Sequence, residues 1–98
     1  MSSMRQLMKQ AQEMQERLQK ELATTVVETS VGGGMVTVKM SGHKQLVGVK
    51  IDPEAIDPND LPMLEDLIVS AVNEAGRKVD ETMQGKMGAM ASSLPGLF

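Results

Sequence analysis

Apolar residues near the start of the chain recur with the spacing of a helix that contacts a partner along one narrow line. Met4, Leu7, Ala11, Met14 and Leu18 are separated alternately by three and four residues, the rhythm of a coiled-coil seam. A helix packed against a globular core usually has a wider apolar stripe. We therefore predict that residues 1–23 form a helix that projects from the body of the protein.

From residue 24 the pattern changes to a period of two, which is typical of strands with one buried face. Three apolar sets predict a three-stranded sheet over residues 24–51: Val27, Thr29 and Val31, then Val36, Val38 and Met40, then Val47, Val49 and Ile51. A triple glycine at 32–34 and the turn residues at 42–44 separate these sets. Both connections are short enough for antiparallel hairpins.

A second long helix is predicted after two proline turns. Residues 52–60 contain Asp52-Pro53 and Asp57-Pro58, and a residue before proline avoids helical backbone angles. Residues 61–90 then carry a broad apolar stripe suited to covering a sheet: Leu64, Leu67, Ile68, Ala71, Val72, Ala75 and Val79. Residues 91–98 are predicted to be irregular. The expected fold is a single α+β domain of α-β-β-β-α order over residues 1–98, with the sheet covered by the long C-terminal helix.

Composition favours self-association and an intracellular location. The chain has 98 residues, one Phe, no Trp or Tyr, and no Cys to supply a disulfide or a thiolate ligand. Small domains without cross-links often complete their burial by pairing. The first residues lack the apolar run of a signal peptide, and no stretch is long and apolar enough to cross a membrane. We expect a cytoplasmic protein.

The net charge of −3 conceals a separation of charge along the chain. Residues 52–66 contain six acidic residues and no Lys or Arg, so the remainder holds 10 basic and 7 acidic residues. A polyanionic partner usually requires a basic surface. The charge distribution along the chain therefore permits a polyanionic partner to bind at a surface away from residues 52–66.

Three features that resemble chemical sites have simpler interpretations. The triple glycine lacks the following Lys and Ser/Thr of a phosphate-binding loop and is interpreted as a hairpin turn. His43 is the only histidine and has no partner at motif spacing, so it is interpreted as an exposed turn residue. The acids of 52–66 lack calcium-loop spacing and fall where helix caps are expected. We predict no enzyme activity, cofactor, metal or small-molecule substrate.

Basic residues on the two helices are the only candidates for a binding function. Such side chains make salt-sensitive contacts to phosphates. The candidate nucleic-acid contacts, for which the resemblance below implies DNA as the partner, are Arg5, Lys9, Arg17, Lys20, Arg77, Lys78 and Lys86. The alternative is that these mixed-charge helix faces are simply solvated surface.

Four strings in order resemble the YbaB/EbfC family of nucleoid-associated proteins. They are MKQAQEMQ at 8–15, VKIDP at 49–53, MLEDLIVSAVNEA at 63–75 and LPGLF at 94–98. The resemblance covers nearly the whole chain. It implies a bacterial homodimer of the nucleoid whose long helices project like tweezers. It also implies DNA binding with little sequence preference and an influence on gene expression. The alternative from another class is an acidic, secretion-chaperone-like dimer that holds an apolar peptide on residues 83–90.

Overall fold

The computed structural model describes residues 2–92, with side chains described over residues 3–89. Two long helices flank three strands and one short 3-10 turn, and this order confirms the predicted α+β fold. The elements are α1 (Ser2–Thr24), β1 (Val26–Val31), β2 (Val36–Ser41), β3 (Leu46–Ile51), the 3-10 turn Pro53–Ala55 and α2 (Leu61–Ser92). The predicted irregular tail lies outside the described residues from position 93 onward.

The strands form one antiparallel sheet in the order β1-β2-β3. Val26 lies opposite Ser41, and Val31 lies opposite Val36, so β1 and β2 pair over their full length. Gly32, Gly33 and Gly34 all have positive φ between 63° and 93°. Side chains rarely adopt this left-handed region, which explains why the hairpin is built from glycine. The triple glycine is therefore a turn, as the sequence indicated.

The core lies between α2 and the first two strands. Ala71, Ala75, Val79 and Met83 recur every fourth residue and are buried along one line of α2. They pack with Val36 and Val38 of β2 and with Val27 of β1. The stripe predicted from the sequence ended at Val79. Burial of Met83 extends it by one turn and removes this side chain from the apolar patch predicted at 83–90.

The third strand differs from expectation because α2 does not cover it. Thr29 Oγ1 donates to the Ala71 carbonyl oxygen at 3.0 Å, and Lys78 Nζ donates to the Glu28 carbonyl oxygen at 3.0 Å. These bonds draw α2 toward β1. One helix is about 10 Å wide, whereas strands are spaced about 4.8 Å apart, so a helix held at one edge leaves the far strand open. Leu46 and Val49 are consequently 46% and 48% exposed.

The acidic segment serves local turns, as predicted. Asp52 Oδ1 accepts a hydrogen bond from the Glu54 amide and Asp57 Oδ1 accepts one from the Asn59 amide, both at 2.9 Å. Asp60 Oδ1 accepts from the Met63 amide at 3.3 Å and caps the start of α2. The Asp52 amide donates to the Met35 carbonyl oxygen at 2.8 Å, which fixes this segment beside the β1–β2 hairpin.

Helix α1 gives the protein an elongated shape. The Cα radius of gyration is 19.2 Å and the longest dimension is 70 Å. A compact domain of this length would have a radius of gyration of about 13 Å. The prediction that the first helix projects is therefore confirmed.

Candidate nucleic-acid interface

Only the last turns of α1 contact the body of the protein. Leu18 and Leu22 pack against the core, whereas Met4 and Leu7, at the far end of the same seam, are 71% and 61% exposed. The 23 residues of α1 extend about 35 Å. Most of this length is therefore an arm with solvent on all sides.

The four predicted contact residues on α1 lie on the side of the arm that faces away from the seam. At about 100° per residue, Arg5, Lys9, Arg17 and Lys20 fall within a sector of about 120°. Leu18 and Leu22 point in the opposite direction, toward the core. The four basic side chains are exposed. They are thus available to a partner that approaches α1 from outside.

The acidic residues on α1 leave these cations unpaired. The sequence favours pairing of Glu13 with Arg17 and of Glu16 with Lys20, because each pair is four residues apart. Neither pair lies within 4.0 Å among the described residues, where four other ion pairs are found. The first twelve residues contain Arg5 and Lys9 and no acid. The positive charge is accordingly greatest toward the tip of the arm.

The three predicted contact residues on α2 are engaged with their own chain. Arg77 Nη2 lies 3.4 Å from Glu74 Oε2, and Lys78 Nζ donates to the carbonyl oxygen of Glu28. Lys86 Nζ lies 2.9 Å from Glu21 Oε2 of α1 and donates to Thr25 Oγ1 at 2.8 Å. The structure therefore separates the seven candidates into four unpaired cations on α1 and three with internal partners on α2.

The lysines of the strands and of the β2–β3 turn were not among the candidate contacts predicted from the sequence. Lys39 lies 4.0 Å from Glu28, and Lys44 lies 2.9 Å from Asp80. Lys50 of β3 is exposed, and no acidic partner lies within 4.0 Å of it among the described residues. The strand register places Lys50 opposite Thr37, on the sheet face away from α2. Its alternation with apolar positions was the signal that placed it on the polar face.

The acidic segment and α1 lie at opposite ends of the sheet. The segment adjoins the β1–β2 hairpin, where a Cβ added at Gly32 would lie 3.0 Å from the Leu67 side chain. Helix α1 joins at the other end, where the Gly42 amide donates to the Thr25 carbonyl oxygen at 3.0 Å. Six-residue strands separate these ends by about 20 Å. The acids are therefore held away from the arm.

The remaining candidates show no chemical constellation in the described part of the chain. His43 is an exposed residue of the β2–β3 turn. Over residues 2–92 no group of three or more His, Asp or Glu side chains is arranged to hold a metal ion. Within the same residues, neither helix has the length and apolarity needed to span a bilayer. Met87 is exposed beyond the buried Met83, and the side chain of Met90 lies outside the described residues.

The fold and the arm together define a class of protein. It is a small α+β protein that presents most of its unpaired positive charge on a projecting helix, away from its acidic segment, which suits a large polyanionic partner. The chain belongs to the YbaB/EbfC DNA-binding family, whose family model matches residues 1–94. This is a DNA-binding family and not an enzyme family.

Bacterial relatives support this membership over almost the full length. A nucleoid-associated protein of Chloroflexus aurantiacus is 46% identical over 97 residues, covering 96% of this chain and 97% of its own length. A nucleoid-associated protein of Koribacter versatilis is 49% identical over 98 residues, covering 96% of this chain and 95% of its own length. Among solved structures, an uncharacterized protein from Helicobacter pylori superimposes with a TM-score of 0.76 at 24% identity. That match covers 93% of this chain and 96% of the other chain and establishes the shared fold.

Proposed function

We propose that this protein is a homodimeric nucleoid-associated protein that binds duplex DNA through phosphate contacts made by α1. The observation that carries the proposal is the outward-facing row of unpaired cations on the projecting arm: Arg5, Lys9, Arg17 and Lys20. An α-helix is about 10–12 Å wide, and the major groove of B-DNA is about 12 Å wide. The arm is therefore of the right size to lie along a groove or a phosphate ridge.

Phosphate contacts of this kind give a protein little preference for particular DNA sequences. Arg and Lys neutralise phosphates and release counterions, and phosphate contacts position a protein without identifying bases. The proposed role is to organise the nucleoid and thereby influence gene expression. The α2 cations contribute less, because Lys78 and Lys86 already have internal partners.

The open side of the core supports the homodimer. On α2, the bonds of Ala71 and Lys78 to β1 identify the flank that faces β1. At about 100° per residue, Leu61, Ile68 and Val72 lie on the other flank, toward the uncovered strand. We call the exposed and half-buried apolar residues of this side the β3 surface: Leu46, Val49 and Ile51 of β3 with Leu61, Ile68 and Val72 of α2.

A second copy is the occupant we propose for the β3 surface. The outer edge of β3 pairs with no strand in the described chain, and an apolar edge left open favours association. Charge also favours an apolar partner, since Lys50 is the only charged residue of β3 and points to the other face. The part of this surface that contains Leu61 and Ile51 lies away from α1, because α1 contacts the body near the opposite end of α2.

DNA binding is tested by fluorescence anisotropy with duplexes of different sequence between 50 and 200 mM salt. If about six phosphates are contacted, affinity falls on the order of a thousandfold across this range. Arg5→Gln/Lys9→Gln removes two cations from each arm. We expect it to weaken binding and to flatten the dependence of log K on log salt by about 0.9 for each phosphate that is no longer neutralised.

The matched control removes two charges from the body. Lys39→Gln/Lys44→Gln changes the net charge equally but replaces lysines that lie in ion pairs of the body. Equal losses of affinity in the two variants would show that net charge, and not α1, controls binding. No binding of the wild-type protein to any duplex at low salt would overturn the proposed function.

The homodimer is tested by sedimentation of Val49→Asp. A carboxylate at the centre of the β3 surface is costly to bury without a partner, so this variant should sediment as a monomer. Val26→Asp is the control, because Val26 is similarly exposed, at 53%, and lies on β1 at the opposite edge of the sheet. A dimeric Val49→Asp variant, or a monomeric wild type, would contradict the proposed interface.

A further inference from the structure

The junction between α1 and the body is a short and closely packed connection. A single residue, Thr25, separates the end of α1 from the start of β1. The Thr25 amide donates to the Glu21 carbonyl oxygen at 2.9 Å, so the backbone continues directly from the last helical turn into the sheet. Gly42 packs against this turn so closely that a Cβ there would lie 2.6 Å from the Leu22 carbonyl oxygen.

Lys86 reaches this junction from α2. Its Nζ contacts both Glu21 Oε2 at 2.9 Å and Thr25 Oγ1 at 2.8 Å. Its side chain is 38% exposed and that of Glu21 is 41% exposed, whereas the members of the three other ion pairs found in the described chain are all more than half exposed. We call this three-residue arrangement, Lys86 with Glu21 and Thr25, the Lys86 clasp. It ties the late turns of α2 to the last turn of α1.

The length of α1 magnifies any movement at the junction. Arg5 lies 17 residues before Leu22, which is about 26 Å along the helix. A rotation of about 10° at Leu22 would therefore move Arg5 by about 4 to 5 Å. Successive phosphates of one DNA strand are spaced by about 3.4 Å along the helix axis. A small change in direction therefore displaces Arg5 by more than this axial rise, which is enough to lose its alignment with a given phosphate.

We propose that the Lys86 clasp sets the direction of α1 and thereby determines whether the arms engage DNA together. Lys86 is in this view a positioning residue that acts through Glu21 and not a phosphate ligand. This inference rests on the proposed DNA-binding function. It differs from the sequence-based expectation that Lys86 itself contacts DNA.

Removal of the Glu21 carboxylate should change DNA affinity in opposite directions, depending on whether Lys86 is a phosphate ligand or a positioning residue. Glu21→Ala releases Lys86 and makes the chain more positive. If Lys86 were a phosphate ligand, this variant would bind DNA more tightly. If the Lys86 clasp sets the direction of α1, this variant binds DNA more weakly, on the order of tenfold. The loss arises because the two arms of a dimer no longer engage the same duplex together as often. Glu16→Ala is the matched control on the same helix, with the same charge change and no contact to Lys86.

The direction of α1 is measured without DNA by spin-label distances. Because the chain has no cysteine, labels at Gln6→Cys and Gln45→Cys report one distance between the arm and the body. Labelled chains are diluted with an excess of unlabelled chain, so that only distances within one chain are seen. The distance distribution should broaden or shift in Glu21→Ala and in Lys86→Gln, but not in Glu16→Ala. Thermal unfolding of each variant confirms that it is folded at the assay temperature.

The outcomes separate this inference from the proposed function. Unchanged distances in both clasp variants would overturn the inference while leaving DNA binding intact. Tighter DNA binding by Glu21→Ala than by Glu16→Ala would overturn it as well. Failure of the wild-type protein to bind duplex would instead refute the proposed function, and the distance measurement would still test the clasp.

Discussion

Gly42 is the position at which the smallest change in the sequence should have the largest effect on the fold. A Cβ at this residue would lie 2.6 Å from the Leu22 carbonyl oxygen and 2.9 Å from the Leu22 Cα. Both atoms belong to the backbone of α1, so a side-chain rotation cannot relieve the overlap. Either α1 moves away from the β2–β3 turn or the turn deforms.

The magnitude follows from two opposing terms. Overpacking a close contact typically costs about 1–3 kcal/mol, and replacing Gly by Ala at an unstrained position gains about 0.4–1 kcal/mol through the unfolded state. Because the overlap involves backbone, we expect Gly42→Ala to lower the free energy of unfolding by about 2 kcal/mol. For a domain of this size, the melting temperature should fall by about 8–16 °C.

Circular dichroism is the appropriate assay, because the chain lacks Trp and Tyr for fluorescence. Melting temperatures must be compared at one protein concentration, since a dimer gains stability with concentration. Gly48→Ala is the control: no atom lies within 4 Å of a Cβ built there, and its φ is not positive. Equal melting temperatures for Gly42→Ala and Gly48→Ala would refute the close contact of α1 with the turn.

Two further predictions concern the core and the charges. Val79→Ala should lower the free energy of unfolding, measured by urea titration, by about 2 kcal/mol, because Val79 is fully buried against β2 and a cavity would remain. A loss below about 0.5 kcal/mol would contradict this packing. Glu13→Gln/Glu16→Gln should strengthen DNA binding in anisotropy assays more than Glu54→Gln/Glu65→Gln, because only the first two acids lie on the arm. Equal gains in DNA affinity for the two double variants would show that the position of the acids is unimportant.

The secondary structure was predictable because each element has its own hydrophobic period. The narrow seam of α1 and the alternation in the strands are local patterns, and the predicted order of elements was confirmed. The alternation failed at the start of β3, where a register shift at Lys39/Met40 sets Leu46, and not the predicted Val47, opposite Met40. Packing was less predictable. The open β3 surface arises because α2 is held toward β1 by hydrogen bonds between residues 42 and 50 positions apart in sequence.

The candidate site shows the same limit. Charge and helical position selected Arg5 and Lys9 as candidates, and the exposure of both side chains follows from the narrow seam. The same reasoning placed Lys86 with them, because its partner Glu21 lies 65 residues away in sequence. Met83 was placed outside the core because the predicted apolar stripe ended at Val79, yet its side chain is buried in the core cluster. Long-range contacts, which no local pattern reveals, decide these cases.

A net charge of −3 is compatible with DNA binding because distance and salt separate the two signs. The acidic segment lies about 20 Å beyond the junction of α1, the length of the sheet. At physiological ionic strength the Debye length is about 8 Å, so its repulsion scarcely reaches DNA held by the arm. At about 0.01 M salt the Debye length is about 30 Å, and the same acids act on bound DNA. A plot of log K against log salt should therefore be linear near physiological salt and flatten in dilute buffer. A line that remains straight down to about 0.01 M would show that the acids never influence the arm, whatever the ionic strength.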